Sequence, residues 1–201
     1  MAGPRPIGVL GGSFNPPHLG HLVIASEVCA RLALERVLFV PAAAPPHKEI
    51  DDGVAAADRL EMTRLATADD ERFAVSAVEV ELGLRYTVDT LAELRRRHDG
   101  RELVFIVGSD TLLQLASWHE PERVLALATV AVAHRPGDDP QAVAAAAERW
   151  GTRRVLLVST AEVDLSSSAV RGRVREGLPI RYLVPPAVER FIAEHGLYKV
   201  S

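Results

Sequence analysis

Two imidazoles three residues apart, set just after a pair of glycines, are the first groups in this chain that could do chemistry. The stretch Gly11 to His21 reads GGSFNPPHLGH. An apolar run, Ile7 to Leu10, precedes it, and helical periodicity over Leu19 to Leu34 follows it. His18 and His21 therefore fall at the start of a helix and share one face. The free N–H groups and positive dipole there favour an anion. Gly11 and Gly12 lack Cβ atoms and let a ligand come close to the backbone. The arrangement predicts a phosphate site. It is not a P-loop, since no G-K-[ST] follows the glycines, and not a G-x-G-x-x-G fingerprint, because Ser13 stands at the second glycine. His18 and His21 could supply two zinc ligands, but no cysteine and no third ligand at useful spacing lies nearby.

A second polar cluster, LSSSAVRGR, covers Leu165 to Arg173. Ser166, Ser167 and Ser168 open a helix, and Arg171 follows on its first turn. Three hydroxyls, the N–H groups of a helix start and a guanidinium form a second anion-binding set. A plain serine N-cap is the alternative.

The elements that must position these groups alternate along the chain. Strands are expected at Ile7–Gly12, Arg36–Pro41, Glu102–Asp110, Thr129–Ala133 and Arg153–Thr160, and an extended stretch at Arg72–Leu82. Helices are expected near Leu19–Leu34, Val54–Ala68, Thr87–His98 (with Thr87 as N-cap), Pro121–Ala128, Pro140–Trp150, and over the two closing segments. Pro185 and Pro186 start the last helix and Gly196 follows it. Short apolar strands alternating with helices predict an α/β fold: a doubly wound, Rossmann-like parallel sheet with helices on both faces, binding ligands at the carboxyl ends of its strands. The 201 residues, 48% of them hydrophobic, suffice for one domain with its own core. We read residues 1–201 as a single domain, with the helical part from about 165 to 201 completing the phosphate site. The net charge of −4 speaks against general nucleic-acid binding. The single cysteine, Cys29, allows no internal disulfide and reads as a small core side chain. Neither a leader nor a membrane span is read, so the expected location is the cytoplasm.

GGSFNPPHLGH resembles the signature of the nucleotidyltransferases marked by H-x-G-H, and the serine cluster with its arginine resembles that superfamily's late motif. The chain is similar, nearly end to end, to bacterial nicotinate-mononucleotide adenylyltransferases. The resemblance runs through VPAAAPPHK, RLEMTRLA, RYTVDTLAELRRRH, FIVGSDTLLQLASWHEPERVL, AHRPG and IRYLVPPAVERFIAEHGLY. Asn15 stands where many members have Asp, and Leu165 and Val170 replace the frequent Ile.

The resemblance implies transfer of AMP from ATP to nicotinate mononucleotide, with Mg2+ accompanying ATP. Related acceptors, nicotinamide mononucleotide or pantetheine phosphate, and a non-catalytic nucleotide sensor are the alternatives. His18, His21 and Arg171 are implied as catalytic. Gly11, Gly12, Ser13, Phe14, Gly20, Gly108, Asp110 and Ser166 to Ser168 join them in binding ATP. Asp110 is expected at a strand end, where a carboxylate can accept hydrogen bonds from ribose hydroxyls. Asn15, Lys48, Tyr86, Thr87, Trp118 and Arg135 are implied on the acceptor side: Trp118 against the flat ring, Tyr86 and Thr87 at a helix start for the ring carboxylate, Lys48 and Arg135 for the phosphate. No dedicated protein metal site is expected. His47 is left open, and His98, His134 and His195 read as structural or surface groups. The partners expected are small molecules, not nucleic acid or membrane, and a homo-oligomer is left open.

Overall fold

The computed structural model describes residues 3–43, 54–133, 139–161 and 163–199. In chain order the elements are β1 (Ile7–Gly12), α1 (Leu19–Arg31), β2 (Arg36–Pro41), α2 (Ala56–Thr67), β3 (Phe73–Val75), α3 (Val78–Leu82), α4 (Thr87–Arg97), β4 (Leu103–Gly108) and α5 (Ser109–Gln114). A 3-10 turn, Leu115–Ser117, then leads to α6 (Pro121–Leu127), β5 (Ala128–Ala133), α7 (Pro140–Trp150), β6 (Val155–Val158), α8 (Ser167–Arg175) and α9 (Pro186–Glu194).

Among the described residues six strands form one sheet in the order β3-β2-β1-β4-β5-β6, and every neighbouring pair is parallel. This is the expected doubly wound arrangement. Its strand order reverses between β1 and β4, and the carboxyl ends of those two strands frame the crevice where such sheets bind ligands.

Alternation along β1 explains why its strand is apolar throughout. Ile7 and Val9 face a core with Val88, Leu91 and Leu94 of α4, Val124 of α6 and Val143 of α7. Leu10 faces the opposite core, with Ala25, Val28 and Cys29 of α1 and Phe39 of β2. Both faces are covered, so no position along the strand favours a polar residue. Cys29 is the small core residue expected, and burial raises its thiol pKa. Leu91 is fully buried, and truncating it to Ala would cost about 2–5 kcal/mol.

A third cluster lies at the end of the chain. Met62 and Ala66 of α2 pack against Val170 of α8, Val188 and Ile192 of α9, and Tyr198. Through this cluster the C-terminal helices dock against α2, with Leu22 of α1 packed beside them. None of the helices among the described residues is long and apolar enough to cross a membrane.

Three expectations need correction. The stretch Arg72–Leu82 is not extended throughout: a three-residue strand is followed by the helix α3, which ends at Gly83 with φ +64. The expected strand Glu102–Asp110 stops at Gly108, and the next residues form α5. Thr87 is not the N-cap of α4: Tyr86 holds that place with extended backbone and Thr87 is the first helical residue. A hydroxyl one residue farther in cannot bond back to the N–H groups of the first turn as a cap does.

Candidate active site

A cleft of about 1010 Å³ opens at the carboxyl ends of β1 and β4. At one end lie Ser13, His18, His21, Ser166 to Ser168 and Arg171; at the other lie Tyr86, Thr87, Thr90, Trp118 and His119; Gly11, Gly12, Gly108 and Asp110 also line it. The two motifs that the sequence separates by about 150 positions thus meet in one concavity.

The histidine motif is built by close packing. His18 is the N-cap of α1, with extended backbone, and its N–H donates to His21 Nδ1 at 3.2 Å. A ring nitrogen that accepts this bond leaves the proton of the neutral ring on Nε2. The two imidazoles stack with centroids 3.7 Å apart. Gly20 makes that possible: a Cβ there would sit 3.0 Å from His18 Nδ1. Gly12 serves the preceding turn, since a Cβ there would press on the Phe14 ring at 3.3 Å. Phe14 is buried and meets His21 edge-on at 5.0 Å. The expected fan of helix N–H groups is reduced, because Leu19 N–H donates to the Leu183 carbonyl at 2.9 Å.

The late motif takes its own shape. The Ser166 hydroxyl caps α8 by accepting from Ala169 N–H at 3.1 Å. Ser167 Oγ donates to the Pro16 carbonyl at 2.8 Å. Arg171 donates to the Asn15 carbonyl at 2.9 Å and to Ser168 Oγ at 3.3 Å. The serine N-cap and the anion-site readings are therefore compatible, on different serines.

At the other end, Trp118 is braced edge-on by Phe105 at 6.0 Å, beyond the 3-10 turn. Tyr86, 45% exposed, packs against the His119 ring, tilted by 34° with centroids 4.3 Å apart. Thr90 donates to Glu79 at 2.8 Å. Burial pushes the Glu79 carboxyl above its ordinary range; the Thr90 hydroxyl, the Ala43 N–H and the Arg59 charge pull the other way without cancelling it. Asp110 lies in the first turn of α5, not at a strand end, and accepts from Thr111 N–H at 2.9 Å. Asn15 lines the cleft, but its Oδ1 accepts from the Tyr198 hydroxyl at 2.6 Å.

Lys48, Arg135, His47 and His134 lie outside the described residues. His98 closes α4, and His195 stacks on Phe191 at 3.9 Å. Among the described residues no group of three or more His, Cys, Asp or Glu is placed to hold a metal ion.

The cytidylyltransferase-like family model matches residues 9–173, the span from β1 through the late arginine motif. A Geobacter sulfurreducens protein named "Probable nicotinate-nucleotide adenylyltransferase" is 44% identical, covering 95% of this chain and 97% of its own. A Thermomicrobium roseum protein of the same name is 45% identical, covering 96% and 91%. The chain belongs to the nicotinate-nucleotide adenylyltransferase family. Its fold agrees with a solved structure, a Plasmodium falciparum nicotinic acid mononucleotide adenylyltransferase complexed with NaAD: the TM-score is 0.80 at 17% identity, covering 96% of this chain and 97% of that one.

For this member of the adenylyltransferases, five residues stand out that sequence reasoning missed: Arg59, Glu79, His119, Leu183 and Tyr198. His119 was visible beside Trp118 in SWHEP, and Arg59 and Tyr198 sit inside the family-like stretches RLEMTRLA and EHGLY. What the sequence lacked was any sign that Arg59 and Tyr198 are buried and that His119 packs on Tyr86.

Proposed function

We propose that the chain transfers AMP from ATP to nicotinate mononucleotide, releasing pyrophosphate and forming nicotinate adenine dinucleotide in NAD biosynthesis. The observation that carries this is the continuity of the cleft: a cationic, imidazole-lined end joins an aromatic end at a helix start, with Gly11, Gly12 and Gly108 also lining it.

A phosphate oxygen of the mononucleotide attacks the α-phosphorus of ATP in line. The new P–O bond forms as the bond to the β-phosphate bridging oxygen breaks, and pyrophosphate leaves with that electron pair. The attacking phosphate is largely ionised at neutral pH, its second pKa being about 6, so no side chain has to remove a proton. The work of the protein is to bring two anions together and to meet the charge that builds up. His21, with its proton on Nε2, and His18 donate to the triphosphate near the α-phosphoryl group. Arg171 and the start of α8 hold the β- and γ-phosphates. Asp110 takes ribose hydroxyls. Trp118 lies against the nicotinate ring, and Tyr86 and Thr87 present the positive end of α4 to its carboxylate. Lys48 and Arg135 meet the acceptor phosphate. Among the described residues Asp110 and Glu79 are the carboxylates that line the cleft, which would suit a magnesium ion held mainly by the triphosphate and water. Bound there, it would neutralise charge on the leaving pyrophosphate. Residues 1–201 act as one catalytic unit in the cytoplasm, the helical part from about 165 completing the ATP site.

The test is pyrophosphate release from ATP and magnesium with nicotinate mononucleotide and nicotinamide mononucleotide in separate reactions. Strong release with the acid and little with the amide is expected. Equal release would overturn the roles of Tyr86 and Thr87, and none with either would overturn the reaction.

A further inference from the structure

The loop that precedes the histidines is not held by the sheet. β1 makes its last ladder pairing at Gly12, opposite Pro41. Beyond it, side chains from distant helices take the carbonyls of the loop. Arg59 Nη1 donates to the Ser13 carbonyl at 2.8 Å, Arg171 to that of Asn15 and Ser167 to that of Pro16, while the Tyr198 hydroxyl holds the Asn15 side chain. Ser13, Asn15, Ser167 and Arg171 line the cleft; Arg59, Tyr198 and Phe14, whose side chain is buried, do not. Tyr198 can therefore reach the reaction only through the loop, and Arg59 through the loops it holds and through its charge on Glu79.

Arg59 is the more telling of the two. It is 1% exposed, and among the described residues no carboxylate lies within ion-pair distance. Removing a guanidinium from water without a paired anion is unfavourable, and an apolar side chain would fill the volume without that penalty. What arginine adds is its rigid fork. Nη1 holds Ser13, after β1, and Nη2 holds the Ala43 carbonyl, after β2, at 3.1 Å. One planar group thus fixes the spacing of two loops at the carboxyl end of the sheet.

The consequence lies in the Ser13–Phe14 peptide unit. A trans peptide points its C=O and N–H in opposite directions. With the Ser13 carbonyl drawn back to Arg59, the Phe14 N–H turns the other way. Phe14 also takes φ +46, a conformation that a non-glycine residue keeps only when its surroundings over-determine it. Backbone N–H groups presented in this way form an anion-binding concavity.

We propose that Arg59 is a positioning residue for the transfer: its fork holds the Ser13–Phe14 peptide so that Phe14 N–H donates to a phosphate oxygen of the bound nucleotide, with Tyr198 steadying Asn15 beside it. This rests on the adenylyl-transfer reading of the cleft.

The test compares wild type with Arg59→Gln, Arg59→Lys and Tyr198→Phe. Pyrophosphate release is measured while ATP·Mg and nicotinate mononucleotide are varied in turn, and each protein is melted in the same buffer. Arg59→Gln is expected to lower kcat by about 10- to 100-fold while KM for the acceptor moves by less than about threefold. Arg59→Lys recovers part of the loss, and Tyr198→Phe loses less than Arg59→Gln. In the amide spectrum of 15N-labelled wild type, the Phe14 resonance shifts on addition of ATP·Mg. An Arg59→Gln protein that melts lower yet turns over at the wild-type kcat would overturn the proposal. So would a Phe14 amide in wild type that ignores ATP·Mg, an observation that stands even where the Arg59 variants do not fold. A wild type that releases no pyrophosphate would overturn the reaction itself, a distinguishable failure.

Discussion

At the phosphate end of the cleft, residues 13–16 are tied by four side chains from three separate parts of the chain, and the rings of His18 and His21 are stacked on each other. At the acceptor end, Tyr86 is nearly half exposed, α4 begins without a side-chain cap, and Trp118 is only partly buried, edge-on to Phe105. One end is cross-braced by side chains before substrate arrives; the other offers surfaces against which a ring can settle. Charge that appears only in the transition state is best met by groups already in place, since any reorganisation then adds to the barrier. Ring recognition tolerates adjustment, because stacking and burial depend weakly on angle.

The sharpest way to break this contrast is His21→Ala. Losing a donor that tightens in the transition state should cost about 2.7–4 kcal/mol, a hundredfold or more in turnover. Melting should stay close to wild type. Near-normal turnover would show that the cross-braced end is not where charge is met. Trp118→Ala probes the other end. It should raise KM for nicotinate mononucleotide about tenfold, equivalent to ~1.4 kcal/mol of ring contact, with kcat within about twofold of wild type. A matching fall in kcat would mean that the two ends cannot be separated. Ser167→Ala removes one tie on the loop, and its denaturation midpoint should correspond to a loss of about 1 kcal/mol.

The smallest effect concerns Glu79 and is read through pH. Its folded-state pKa lies above the ordinary 4.5, chiefly because it is desolvated. The folded protein keeps this proton to higher pH than the unfolded chain does, so raising the pH past the unfolded value works against folding. The stability of Glu79→Gln relative to wild type should therefore climb from about pH 4.5 upward and level off above the folded pKa. Denaturant titrations across that range check it, and a flat difference would show that Glu79 is not desolvated at the acceptor end.

The sheet was legible because each strand carries its signal locally, in a short β-branched run. The histidine motif was legible because its residue types are rare together and adjacent. The segment Val78–Leu82 misled for a physical reason: VEVEL alternates apolar and polar residues like a strand, yet a single buried contact, Val78, and the left-handed Gly83 suffice to make it a short helix. α5 has six residues, too few to display helical periodicity. Arg59 was invisible for the opposite reason. An arginine on a helix reads as solvated, and only the fold reveals that the two carbonyls it needs lie beneath it. Tyr198 and Leu183 were missed in the same way, since their partners are set by tertiary structure.

The ties on the loop come from far along the chain: 46 residues away for Arg59, 151 for Ser167, 156 for Arg171 and 183 for Tyr198. A ribosome therefore delivers the histidine motif well before three of its four ties. Until those later segments emerge, the nascent chain carries the motif without the scaffold that holds its loop. A product shortened before α8 is expected to keep the motif and lose those bonds.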